Sequence, residues 1–315
     1  MTTVGGSTRT GLEFLVDGVA YRAGDVTVTY SRYVRGMFTA DPGQVRRRLP
    51  SPRLHPVRWV NGRALVTVEA CAWQMTIGAL PPFDYADVFF GALVTHGDGA
   101  APRLLPLLGG RAETRYGLGV CYLVTATSNR VAGEVYRLLF GAAPTVVSIR
   151  HDRSADLLGY TAADGDRLVA SLSVPVTGRL KPSDGEVVAY SSWDGALVRW
   201  TLRDQGRAAM RVGSGRVRLR LGDHPLAAEL RSMGWSTTPL AVGVGADGVL
   251  TGDLTPQPIG PAGPPPPPAP PQPTEAPVVV AFEDGRQEIV DQRLDRLPFS
   301  AAGTFEQPSG QRSLR

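Results

Sequence analysis

Lysine is almost missing from this chain of 315 residues. Of 33 basic residues only Lys181 is a lysine, which leaves 32 arginines. Chemistry that joins a side-chain amine to a carbonyl therefore has one candidate. Cysteine is scarce too. Cys71 and Cys121 sit in the apolar runs LVTVEACAW and GVCYLVTA, so both read as buried free thiols. A disulfide would need those two strands to be neighbours. The four histidines are scattered without ligand spacing, and no Cys/His cluster exists. No metal site and no cofactor is expected. The net charge is only +4 because 29 acidic residues nearly balance the arginines, which gives no argument for nucleic acid. No apolar run approaches the ~20 residues of a membrane span. The beginning MTTVGGSTRTGLEF has no apolar signal core, so cytoplasmic residence is the expectation.

What is present is β-rich. ALVTVEACAW (64–73), DVFFGALVTH (87–96), YGLGVCYLVTAT (116–127), PTVVSIRHD (144–152), RLVASLSVPV (167–176), EVVAYSSW (186–193), ALVRWTLR (196–203) and GRVRLRLG (215–222) carry β-branched and aromatic residues, several in alternation. Asp17-Gly18 between apolar runs signals a hairpin. Three helices are expected. One lies between Asp41-Pro42 and Pro50, with the arginines 46–48 as a solvated face or an anion site. A second covers 128–139 with Ser128 as cap. The third covers 224–233 with Asp223 as cap. The fold class is α+β, predominantly antiparallel β, with the sheet closed or folded on itself and a few flanking helices.

The globular pattern covers residues 1–255. PQPIGPAGPPPPPAPPQPTEAP (256–277) is a proline-rich linker with polyproline character. The tail, residues 278–315, contains VVVAF as one strand and QEIVDQRLDRL as an amphipathic turn or two. It is too short for its own core. It docks on the domain, docks on a protein partner, or stays disordered. Its last residues, PSGQRSLR, faintly resemble the short peptides that load proteins into bacterial encapsulin shells.

Four pieces across residues 25–250 resemble the acetoacetate decarboxylase-like superfamily. They are YSRYVRGMFTADPGQVRRRLPSPRLHP, LVTVEACAW, FDYADVFFGALV and NRVAGEVYRLLFGAAP. The resemblance implies a closed β-barrel, a homo-oligomer and a small-molecule ligand, with Glu69 on one pocket strand and Tyr85 and Asp87 on another. It also implies a Schiff-base lysine after the proline of the last piece. Here that proline is Pro144 and the next residue is Thr145. The early active-site arginine of the superfamily falls near Ser31, with Arg32 one place off. Lys181, in RLKPSDG, reads as a surface turn.

Glu69 alternates with Ala70 and shares a face with Leu65, Thr67, Cys71 and Trp73. A carboxylate on such a face needs a partner. Candidates are Arg137, Arg115, Tyr122 and His151, and the carboxylate serves either a pocket or a structural ion pair. Arg137 either replaces the lost positive charge or lies on the helix surface. The site expected is catalytic Glu69, Asp87 and Arg137, with Tyr85, Tyr122, Thr145 and Arg115 against the ligand. Two carboxylates with separated pKa values suit acid–base work on a keto-acid or polyketide-like molecule of secondary metabolism. Enolisation, dehydration, hydration or cyclisation are the lyase- or hydratase-type reactions open to them. The competing reading is a catalytically silent binding, scaffold or cargo protein tethered by its tail.

Overall fold

The computed structural model describes residues 13–16, 19–22, 26–77, 81–99, 116–153, 157–176, 179–213, 217–251, 256–263, 278–281 and 287–290. In chain order the first half holds strands β1 (Glu13–Val16), β2 (Val19–Arg22) and β3 (Val26–Ala40), helix α1 (Pro42–Arg48), strands β4 (Leu54–Pro56), β5 (Ala64–Ile77), β6 (Phe83–His96) and β7 (Gly119–Thr127), and helix α2 (Arg130–Phe140). Next come β8 (Thr145–Val146), β9 (Ser148–Arg153), β10 (Leu157–Asp164), β11 (Arg167–Pro175), β12 (Lys181–Trp193), β13 (Ala196–Val212) and β14 (Leu219–Leu221). Helix α3 (Pro225–Ser232), β15 (Ala241–Thr251), β16 (Gln257–Pro261), β17 (Val278–Ala281) and β18 (Gln287–Val290) complete the described elements.

Seven strands close a barrel in the order β6-β5-β3-β15-β13-β12-β7, and pairing of β7 with β6 completes the ring. Every ladder is antiparallel except β7 with β12, which is parallel and two residue pairs long. The closed, mostly antiparallel sheet expected from the sequence is the observed architecture. A second sheet, β14-β11-β10-β9-β17-β18, covers one side. Val66, Val68 and Ala70 of β5 pack into the same core as Ile149, Tyr160 and Leu172 of that sheet. Cys71, Trp73 and Met75 of β5 join Tyr85, Phe89 and Trp200 in a separate core. The period-two pattern of β5 thus divides the two faces of the barrel wall.

Local signals explain the helices, with two corrections. Asp41 caps α1, its Oδ1 accepting from the Gln44 amide at 2.8 Å, and Pro42 fills the first turn. Asn129, not Ser128, caps α2 by accepting from the amides of Val131 and Ala132. Ser128 is wholly buried and accepts instead from the Ala86 amide at 2.7 Å, tying the helix start to β6. His224, not Asp223, caps α3: its Nδ1 accepts from the Leu226 amide. The RLKPSDG segment is not a turn. Lys181 to Gly185 extend β12, pairing along β13 from Ala208 to Asp204. Residues 181–186 are exposed, and β7 meets β12 only at Ala189 and Tyr190. Pro182 therefore lies on a free edge, where a missing amide breaks no ladder.

The tail re-enters the fold through β17, which pairs with β18 and lies parallel beside β9 with Val280 opposite Ile149. Asp17-Gly18 lies outside the described residues, while the flanking β1 and β2 pair antiparallel. Cys71 and Cys121 are both free and buried, because β6 runs between their strands.

Candidate active site

A cavity of about 670 Å³ lies within the barrel wall, bordered by Arg35, Glu69, Tyr122, Tyr136 and Thr145. Its polar centre comes from register. Arg35 of β3 stands directly opposite Glu69 of β5, and Arg35 Nε lies 3.0 Å from Glu69 Oε1. The glutamate side chain is 14% exposed and the arginine 31%. The adjacent Glu69 charge raises the guanidinium pKa above its ordinary value, outweighing burial. Tyr122, from β7, hydrogen-bonds the same carboxylate, and burial followed by that negative charge pushes its phenol well up. Cys71 borders the cavity too. Burial and Glu69 push its thiol well up, which makes it a poor nucleophile near neutrality.

Asp87 lies opposite Cys71, one step diagonally from Glu69 on the adjoining strand. It is wholly buried and does not border the cavity. The Tyr136 hydroxyl donates to Asp87 Oδ2 at 2.6 Å and lies 3.1 Å from the Tyr85 hydroxyl. Burial raises the Asp87 pKa from 3.8 to about 7, with hydrogen bonds from Thr127 and Tyr136 pulling the other way. Burial first, then Asp87, push the Tyr136 phenol well up. Tyr136 itself borders the cavity. The carboxyl thus meets the cavity through a phenol.

Of the residues expected from sequence, Glu69, Tyr122 and Thr145 border the cavity. Asp87 and Tyr85 form the layer behind it. Arg137 is not brought there: it pairs with Glu134 at 2.8 Å on the exposed face of α2, with both side chains more than half exposed. Arg115 lies outside the described residues. His151 packs on Tyr160 with ring centroids 4.3 Å apart, and burial lowers its pKa to about 4. It does not border the cavity. The arginine position expected near Ser31 or Arg32 is also displaced. Ser31 is exposed, at a register break between Tyr30 and Arg32, and the cation facing Glu69 in the cavity is Arg35. Lys181 is exposed on β12 and away from the cavity.

The loop after α2 brings small residues to the cavity. Gly141 ends the helix at φ +62, a left-handed cap. A Cβ there would collide with the Ser192 carbonyl. The chain then turns so that Ala142, Ala143 and Thr145 border the cavity. Thr145 brings a hydroxyl and a methyl to the cavity border.

Sequence reasoning passed over Arg35, Tyr136 and Asp204. Alternation along YSRYVRGMF could have exposed Arg35, because Val34 and Phe38 are core residues on the other face. Asp204 borders the cavity from β13, and the Tyr30 hydroxyl donates to its Oδ1 at 2.8 Å. Gly248 on β15 stands opposite Tyr30, and only a residue without a Cβ leaves room for that ring.

No family model matches the chain, and no curated protein does. Among solved structures it is similar to an acetoacetate decarboxylase from Legionella pneumophila, with 14% identity over 82% of this chain and 98% of that one and a TM-score of 0.49. An acetoacetate decarboxylase-like enzyme from Sphingomonas wittichii matches with 14% identity over 80% of this chain and 100% of that one, also at a TM-score of 0.49. The enduracididine biosynthesis enzyme MppR, complexed with the condensation product of pyruvate and imidazole 4-carboxaldehyde, has 13% identity over 71% of this chain and 86% of that one, with a TM-score of 0.46. Two of the three bear the name of the superfamily that the sequence resembles.

Proposed function

We propose that this chain is a small-molecule enzyme that moves protons at a keto-containing ligand without forming an imine. The observation that carries this reading is the cavity itself: an Arg35–Glu69 pair lines it together with the phenols of Tyr122 and Tyr136 among others, and no lysine does. Arg35 supplies the positive charge at the cavity that Arg137, paired on the helix surface, does not. It holds an oxygen of the ligand on which negative charge develops. Tyr136 takes a proton from the carbon beside the carbonyl while its own proton passes to Asp87 across their 2.6 Å hydrogen bond. The return delivers it to a neighbouring atom. A carboxyl held at about 7 gives and takes a proton near neutral pH with similar ease. Glu69 orients Arg35 and Tyr122. The enolate is the intermediate shared by dehydration, hydration and cyclisation on such a ligand: it forms first in dehydration and cyclisation, and after the addition of water in hydration.

The test is solvent deuterium exchange at the carbon beside the carbonyl, followed by NMR over a panel of keto acids. The expected result is exchange that Tyr136→Phe abolishes, with no carbon dioxide released. Borohydride added with a β-keto acid should leave the protein mass unchanged. An adduct at Lys181 would overturn the proposal, and so would exchange undiminished in Tyr136→Phe. A second reading, silent ligand binding, draws support from Glu69, whose partners Arg35 and Tyr122 already occupy it. It predicts a bound metabolite by mass spectrometry of the purified protein and no exchange.

A further inference from the structure

The charges bordering the cavity do not cancel. Arg35 pairs with Glu69 at 3.0 Å, and Arg48 pairs with Glu229 at 2.7 Å. Asp204 also borders the cavity, yet its side-chain partner among the described residues is a neutral phenol, Tyr30. Its second carboxylate oxygen has no donor there. Asp204 faces Leu250 across the β13–β15 ladder, next to Thr251. Thr251 and Thr27 both border the cavity and are exposed, so the cavity opens on this side, as it also does at Gly141 and Ala143.

The phenol that holds this carboxylate belongs to an aromatic cluster. Tyr30 meets Tyr33 edge to face at 5.3 Å and meets Trp73 at 5.6 Å. Arg35 already lies over the Tyr33 ring, 5.4 Å from its centroid, so one face of this cluster holds a cation within the protein. Trp73 is 9% exposed, and its indole N–H has no acceptor among the described residues. An unpaired carboxylate beside aromatic faces favours a cation with an apolar body. It disfavours an anion, which the Asp204 charge repels.

We propose that the cavity takes a ligand bearing an organic cation, an ammonium or guanidinium group, which seats on Asp204 beside Tyr30 and Trp73. This rests on the proton-transfer reading above and names the chemical class of its substrate: a keto compound with a cationic arm. The cation anchors on the open side beside Asp204, and the carbonyl end lies toward Arg35 and Tyr136.

Calorimetric titration of the full chain with phenylethylamine, phenylethanol and phenylpropionate tests it with one ring body and three charges. The amine should bind about tenfold tighter than the alcohol, and phenylpropionate weakest. Asp204→Asn keeps an acceptor for Tyr30 and should bring the amine down to the alcohol's affinity. Tyr136→Phe should leave the preference intact, so a failure of proton transfer is separable from a failure of cation binding. An amine no tighter than the alcohol overturns the inference and leaves the proton-transfer reading standing. Tightest binding of phenylpropionate overturns it in favour of Arg35 as anchor. A preference that survives Asp204→Asn overturns it as well. No binding of any of the three overturns the inference, and deuterium exchange on the keto-acid panel then decides the proton-transfer reading on its own.

Discussion

Asp87 should make this protein less stable as pH rises from acid toward neutrality, the reverse of what most carboxylates do. Its pKa stands at about 7 in the folded chain against an ordinary 3.8. Below the unfolded value both states hold the proton, and the buried neutral acid costs nothing extra. Between the two values the unfolded chain has lost its proton and the folded chain keeps it. Stability therefore falls by about 1.4 kcal/mol for each pH unit in that window. Above about pH 7 both states are ionised and the loss levels off. A gap of roughly three units sets the ceiling at about 4 kcal/mol. Asp87 is wholly buried, so solvent screening does not reduce that ceiling. Other carboxylates titrate over the same range, so the measurement is a difference. Urea unfolding of wild type and Asp87→Asn from about pH 4 to about pH 8 cancels the shared groups. Asn keeps an oxygen for Tyr136, and its cost is a constant offset. Wild type should lose ground to the variant as pH rises to about 7 and then run parallel to it. Parallel curves throughout would refute the buried neutral acid, and with it the proton store proposed behind Tyr136.

Two further outcomes follow from the ion pair and the helix cap. Glu69→Gln leaves the Arg35 cation uncompensated in a mostly buried position. It should cost about 2–3 kcal/mol, less than the full penalty for a closed pair because Arg35 keeps some contact with solvent. Adding Arg35→Met should recover most of that loss in the same unfolding measurement, and no recovery would contradict the pairing. Gly141→Ala forces a Cβ into a left-handed cap against Ser192. It should cost at least about 1 kcal/mol and displace Thr145, seen as weaker ligand binding with Glu69 untouched.

How much of this was legible in the chain depended on whether the cause was local. The alternation of LVTVEACAW carried both faces of β5, and Glu69 lies on the cavity face it indicated. The absent amine was visible because it concerns composition. Arg35 was legible from Val34 and Phe38, but a bulge upstream put Tyr30 and Tyr33 on one face and broke the alternation before it. The register of β3 against β5 breaks between Tyr30 and Arg32, so counting along the motif stopped short of the residue opposite Glu69. Asp204 was hidden because DQGRAAMRV has no apolar alternation, and the strand there is held by its ladders to β12 and β15. Lys181-Pro-Ser-Asp-Gly carries every local mark of a turn, and cross-strand pairing overrides it. Arg137 failed for a geometric reason: an i,i+3 spacing to Glu134 gives it a partner on its own helix.

A hoop is as strong as its shortest splice. Every stave of this barrel is joined to the next by a long antiparallel ladder except at β7 and β12, where two residue pairs close the circle. Thermal breathing concentrates where the fewest bonds must part at once. That splice lies beside Tyr122, one residue along from Cys121 of the last closing pair. The wall can therefore slacken next to the Glu69 partner while β3, β5 and β6, which carry Arg35, Glu69 and Asp87, stay laced together. Amide hydrogens at residues 120–122 and 189–190 should exchange ahead of those at residues 64–72, and a molecule filling the cavity would slow the first group most.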